Sequence, residues 1–256
     1  MRLLFLLCLL LTTPVSVLAN SPAVLFDQAH RQAFLADRSG PLQLSELAAT
    51  FQRQGIKVAV SEQQLSEKML ANFDALVISG AFAPLNEAEI EAVLNFVQQG
   101  GRLAVMVHIG QPLLTLLHKL GVDVGNGVIN EKPIPPNDKT IDYLVRDLKP
   151  HPLTENLQSF AIYGGWPLRV FEQKGESIAS SSPHSWVDLN RDKTFSSGDA
   201  RGPFDVLISG ELGRGSFAVF ADDAIFQNQF LRSGNKQLAE NLVRWMKTGS
   251  GKQIEI

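Results

Sequence analysis

Cysteine is nearly missing from this chain: the one copy among 256 residues, Cys8, lies in the apolar stretch at its beginning. If that stretch is removed, the mature protein can hold no disulfide, no thiolate zinc site and no cysteine nucleophile. A basic surplus is also lacking, with 23 Lys and Arg against 26 Asp and Glu and a formal charge of −3. That removes the electrostatic footprint of a nucleic-acid binder. Past the first residues no apolar run approaches the roughly 20 residues a spanning helix needs. Internal repeats, blocks of like charge and a clear linker are missing too, so the sequence reads as one folded domain. Its 45% hydrophobic and 19% charged residues are ordinary for a globular protein.

The beginning of the chain sets the expected compartment. Met1-Arg2 precedes LLFLLCLLL, a polar break and Val17-Leu18-Ala19. A short basic end, a brief apolar core and small residues before the cut form a secretory signal peptide, cleaved after Ala19. An uncleaved anchor is the alternative. The leucines before Cys8 lack the small residue a lipoprotein signal needs. The expected layout is a signal peptide over 1–19, an exported, periplasmic α/β domain over 20–247 and a loose polar tail over 248–256, with no membrane span after cleavage.

The stretch Leu85 to Gly121 organises the rest. Asn86 can cap a helix, Glu89 can reach back to it, and Leu85 with Ile90 forms a hydrophobic staple. Ile90, Val93, Leu94 and Val97 recur at helical spacing, and Gly100-Gly101 stops the helix. Leu103 to Val107 is then a continuous apolar run, as in a strand covered on both faces. Before it come strands at Ala23–Phe26, Ile56–Val60 and Ala75–Ile78, with a helix capped by Ser45 and a weak helix within 61–73. After it, Val206–Gly210 and Ser216–Phe220 flank a glycine turn as a hairpin, and Asn235 is placed to cap a closing helix. The fold class expected is α/β: a doubly wound, mainly parallel sheet flanked by helices, with a late β-hairpin. Residues 181–202 read as an exposed polar loop.

In such a sheet, ligands bind at the carboxyl ends of the strands. The candidate ligand-binding residues are Asp27, Gln28 and His30 after the first strand, Ser79 and Gly80 after the third, and His108 and Gln111 at the turn after the fourth. Asp222 and Asp223 follow a late strand, and Trp166 can offer an indole at the rim. Together they can hold a small polar molecule such as a carbohydrate. The competing reading makes Asp27 and Asp222 backbone caps and Trp166 a core plug. Asp27, His30, His108 and Asp222 are chemically able to bind zinc or another divalent ion, but their spacing matches no local metal motif. His108 can serve as a general base oriented by Asp222, though a strand-end histidine more often bonds a loop carbonyl.

Several segments together resemble the class I glutamine amidotransferase-like superfamily, in its non-catalytic GIFT-type group. They are VLFDQAH, LVISGAF, GGRLAVMVHIGQPLLTLLHKLGV, HPLTENLQSFAIYGG and GRGSFAVFADDAIFQNQFL followed by GNKQLAENLVRWM. That group includes gliding-motility ABC-transporter accessory proteins, intraflagellar-transport-like domains and exported bacterial relatives. Catalytic members carry a cysteine at the turn and a downstream His-Glu pair; here the turn carries His108 and no such pair follows. The resemblance implies a retained fold that binds a ligand or a partner, in the service of a membrane transporter; no cofactor is expected. The alternative is a hydrolase acting on carbohydrate or peptide through His108 and the strand-end aspartates.

Overall fold

The computed structural model describes residues 21–136 and 138–247. The expected signal peptide, Cys8 and the tail from 248 lie outside the described residues. The chain alternates β1 (Ala23–Asp27), α1 (Ser45–Arg53), β2 (Lys57–Ser61), α2 (Glu67–Leu70), β3 (Ala75–Ser79), α3 (Glu87–Gln98), β4 (Arg102–Met106) and α4 (Leu114–Lys119). The main sheet runs in the order β2, β1, β3, β4 and then the late strand Gly215–Phe220, all parallel to their neighbours. Asp205–Leu212 pairs antiparallel with Gly215–Phe220, completing the expected hairpin, and the sheet continues to Leu168–Val170 and β5 (Val122–Val124). The fold is therefore α/β, with a large, mostly parallel sheet flanked by helices.

Local chemistry explains the central unit. The Asn86 side chain accepts from Glu89 N at 3.0 Å while Glu89 Oε2 accepts from Asn86 N at 2.9 Å, a complete capping box. Leu85 and Ile90 are both buried, and Gly100 takes a φ of 108° just past the helix. β3 and most of β4 are buried on both faces, as unbroken apolar strands in a parallel sheet must be. The edge strand β2 has no buried residue and leaves Val60 exposed. No helix of the described residues is long and apolar enough to cross a membrane.

Two caps differ from expectation. Ser45 does not cap α1; Leu44 holds the cap position without a side-chain bond. Asn228, 182 residues away, accepts from Glu46 N at 2.9 Å and donates to Ser45 Oγ at 3.0 Å. Asn235 does not cap the closing helix α5 (Ser233–Lys247) either. It sits inside that helix, buried, accepting from Ala161 N at 2.7 Å and donating to the carbonyls of Ala161 and Ile225. The reason is the same in both places: an asparagine side chain offers a donor and an acceptor, and the orphan backbone groups of a distant segment claim them. Leu238, Leu242, Trp245 and Met246 of α5 are buried as the helical spacing requires. The weak helix after β2 shrinks to the single turn of α2, capped by Ser66. Within 181–202, a short strand pair, Trp186–Val187 with Ala200–Arg201, replaces a plain loop.

Candidate site at the carboxyl ends of the parallel strands

Parallel pairing brings the ends of β3, β4 and Gly215–Phe220 to one edge. The backbone then stitches the following residues together: Gly80 N donates to Met106 O, Val107 N to Phe220 O, and Asp223 N to Val107 O, at 3.0, 3.0 and 3.1 Å. Gly80, His108 and Asp223 are therefore neighbours although three separate segments supply them. Gly80 has a φ of 60°, and a side chain there would collide with Asp223 Oδ2. Glycine is required at that position by both backbone and space.

His108 Nδ1 lies 3.0 Å from Asp223 Oδ1, with the Asp223 side chain 1% exposed and the imidazole 35% exposed. An ionised carboxylate only accepts, so Nδ1 carries the proton and Nε2 is left as the ring's free face. Nε2 has no protein partner among the described residues. Phe34 and Phe82 flank the ring, with centroids 5.5 and 4.8 Å away. The bond to Asp223 raises the His108 pKa above the ordinary value; burial works against this, and the charges of Asp223 and Asp222 add to the rise. Burial pushes Asp223 upward as well, opposed by His108. The direct hydrogen bond and the partly exposed ring favour the charged pair.

Asp222 does different work. Its Oδ2 accepts from Tyr163 N at 2.7 Å and its Oδ1 from Ala224 N at 2.9 Å. It is a backbone clamp, and Asp223 rather than Asp222 orients His108. Burial, then the charge of Asp223, push Asp222 up to about 7. Ser79 Oγ and Asp223 Oδ2 are buried with no hydrogen-bond partner among the described residues. Such orphaned groups are uncommon in folded proteins.

Asp27 and His30 do not join this group. Asp27 Oδ2 accepts from His30 Nδ1 and from Gln32 Nε2, both at 2.6 Å, and Asp27 Oδ1 accepts from Ala29 N. His30 Nε2 faces Glu89 Oε1 at 3.1 Å, and that same oxygen accepts from Leu65 N. All four side chains belong to buried residues. Burial alone would lower the His30 pKa, but the bonds and charges of Asp27 and Glu89 outweigh it and raise it. The expectation that Asp27 and His30 face a cleft is thus corrected: a second carboxylate, Glu89, closes the network. Gln28 clamps the following loop, accepting from Ala36 N and donating to Asp37. Gln111 is exposed at the start of the turn before α4. Trp166 is half-buried; its backbone N–H donates to Ala221 O, and its ring lies beside Gly110.

The four residues considered for a metal do not converge as a ligand set. Asp27 and His30 are tied to each other, and among the described residues no three of these four bring their ligand atoms within 4.8 Å of one another. Phe34, Phe82, Gln32 and Glu89 were not anticipated as partners. Phe82 stands directly after the Ser79-Gly80-Ala81 strand end, which was the available signal. A separate hollow of about 580 Å³ opens at the amino end of β4, lined by Arg102, His151, Glu176, Glu211 and Trp245 among others.

A family model described as a domain of unknown function, DUF4350, matches residues 36–243. Comparison with curated protein sequences finds no match. Among solved structures, the mmIFT52 N-terminal domain is similar at 17% identity and a TM-score of 0.71, covering 89% of this chain and 98% of that one. A ThuA-like protein from Bacteroides uniformis ATCC 8492 is similar at 16% identity and 0.57, covering 92% and 95%. A cytoplasmic protein from Salmonella typhimurium LT2 follows at 14% and 0.56, covering 88% and 99%. At these identities the likeness is one of fold alone.

Proposed function

As this chain belongs to the DUF4350 family, a domain of unknown function, its role has to be argued from its own site, and we propose that it is an exported, GIFT-type binding domain without amidotransferase chemistry. It holds a small polar ligand, such as a carbohydrate, at the His108 end of the sheet, in the service of a membrane transporter. The observation behind this reading is the half-exposed His108 ring, aimed by buried Asp223 and flanked by Phe34 and Phe82. A protonated Nε2 donates to a ligand oxygen, and the aromatic faces cover its apolar side. The turn carries no cysteine or serine to attack a substrate.

The experiment is a thermal-shift and titration screen of the purified chain against sugars, amino acids and carboxylates, repeated with His108→Ala and Phe82→Ala. Binding to the native state raises the melting temperature. A ligand that stabilises wild type and neither variant supports the site. Equal stabilisation of all three proteins places the ligand elsewhere and refutes it.

One observation favours the hydrolase alternative. A histidine oriented by a buried carboxylate is the arrangement of a general base that can activate water. Turnover of a bound carbohydrate or peptide, lost in His108→Ala, would decide for that reading.

A further inference from the structure

The strand pair Trp186–Val187 and Ala200–Arg201 encloses the twelve positions 188–199, DLNRDKTFSSGD. A calcium loop of the EF-hand type draws ligands from positions 1, 3, 5, 7, 9 and 12 of twelve. Counted from Asp188, those positions hold Asp188, Asn190, Asp192, Thr194, Ser196 and Asp199. Position 7 acts through its carbonyl, so any residue serves there; every other position holds an oxygen-bearing side chain. The match is a pattern of residue type by position, written in the sequence independently of the coordinates. Three of the six are not acidic, so it is more than a collection of carboxylates.

The folded chain brings the same residues together. One carboxylate oxygen from each of Asp188, Asp192 and Asp199 lies within 4.8 Å of the others, the one such group of three or more metal-binding side chains among the described residues. Pairing of Val187 with Ala200 brings the two ends of the loop side by side, and the carboxylates of Asp188, Asp192 and Asp199 are held in place by accepting from N–H groups of the loop itself. We propose that residues 188–199 form a calcium-binding loop, with Asp188, Asn190, Asp192, Ser196 and Asp199 as side-chain ligands and Thr194 as a carbonyl ligand. The set is all oxygen, which suits a hard cation and excludes a preference for zinc or copper.

Two departures from the strongest loops set the affinity. Position 6, where glycine makes the sharp turn, holds Lys193, which itself adopts a φ of 63°. Position 12 holds Asp199, one methylene shorter than the usual bidentate glutamate. Arg191 and Lys193 also offset part of the charge of the three carboxylates. These features place the loop in the weak class of extracellular calcium modules, with a dissociation constant of about 10⁻⁴ to 10⁻³ M. A weak loop matches a compartment outside the cytosol, but the assignment does not rest on the His108 site.

The test uses the purified full-length chain, stripped with chelator and titrated with calcium chloride by calorimetry. Terbium chloride provides a second readout, because Trp186 stands two residues before Asp188 and can sensitise the bound lanthanide. Saturable calcium binding is expected, weakened about tenfold or more in Asp188→Asn/Asp192→Asn and unchanged in His108→Ala. Equal melting temperatures of the double variant and wild type in chelator show that the variant is folded. Asp199→Glu restores the longer carboxylate and is expected to tighten calcium several-fold, a gain that misfolding cannot produce. Absence of saturable heat and of sensitised terbium emission up to about 10 mM, well above the weak-module range, would overturn the proposal. So would binding by the double variant equal to wild type, or an Asp199→Glu variant no tighter than wild type.

Discussion

His108 Nδ1 and Asp223 Oδ1 stand 3.0 Å apart across 115 residues of sequence. The bond exists because the strand before Asp223 inserts beside β4 in parallel, which places the residues following both strands on one edge. Asp223→Asn removes the negative partner. The His108 pKa, raised in the wild type chiefly by that bond, is expected to fall in the variant. Titration of the ring by NMR measures it, and an unchanged value would show that the pair has no electrostatic role.

The pH dependence of stability follows from the same cluster. The Asp222 pKa is pushed from the ordinary 3.8 of an aspartate up to about 7 in the folded protein, so the folded state binds its proton more tightly. Stability is then lost as pH rises through the window from about 4 to about 7. His108, with its raised folded pKa, contributes stability that is present below its ordinary value of 6.5 and lost as pH rises through the folded one. The two act in the same direction. Melting curves of wild type and Asp222→Asn across this range are expected to converge as pH rises, since the variant lacks the titrating group. Parallel curves would contradict the assignment.

Gly80→Ala puts a methyl group into Asp223 Oδ2 at a backbone φ of 60°. A side chain at an incompatible positive φ destabilises by more than about 1 kcal/mol. Denaturant unfolding is expected to show that loss together with a shifted His108 titration, because Asp223 must move. Loss of stability with an unmoved titration would place the strain elsewhere.

Glu89 serves α3 as a capping residue and His30 as a buried partner. Glu89→Ala removes both at once, and breaking a buried charged pair costs about 3–5 kcal/mol. Because the side chains of this network make no hydrogen bond to His108, the folded fraction of the variant is expected to retain wild-type affinity for any ligand found. A large loss of affinity at constant folded fraction would join the two networks.

Asn235→Ala leaves the N–H and C=O of Ala161 without their partners. An unsatisfied buried group costs about 1–3 kcal/mol. Asn228→Ala removes the distant cap of α1, a change of about 0.5–2 kcal/mol. Unfolding of the two variants is expected to rank Asn235→Ala as the more damaging; the reverse order would mean that Asn235 is solvated in the folded protein.

Much of this fold was legible because its signals are local. A capping box reaches three residues, helical periodicity four, and an apolar run such as Leu76 to Ile78 marks a buried strand wherever it is inserted. The ligand spacing of 188–199 is equally local, yet a polar, turn-rich segment reads as plain loop unless its positions are counted. By itself the sequence determined the alternation of strands and helices, the vacant nucleophile position at His108 and the set of polar residues after each strand. Only the tertiary structure decided how that set divides: Glu89 and Gln32 seal Asp27 with His30, and Asp223 takes His108. Asn228 and Asn235 serve backbone groups far from their own helix ends for the same reason. A polar side chain accepts whichever partner the sheet order brings within about 3 Å, and sheet order is a property of the packed chain.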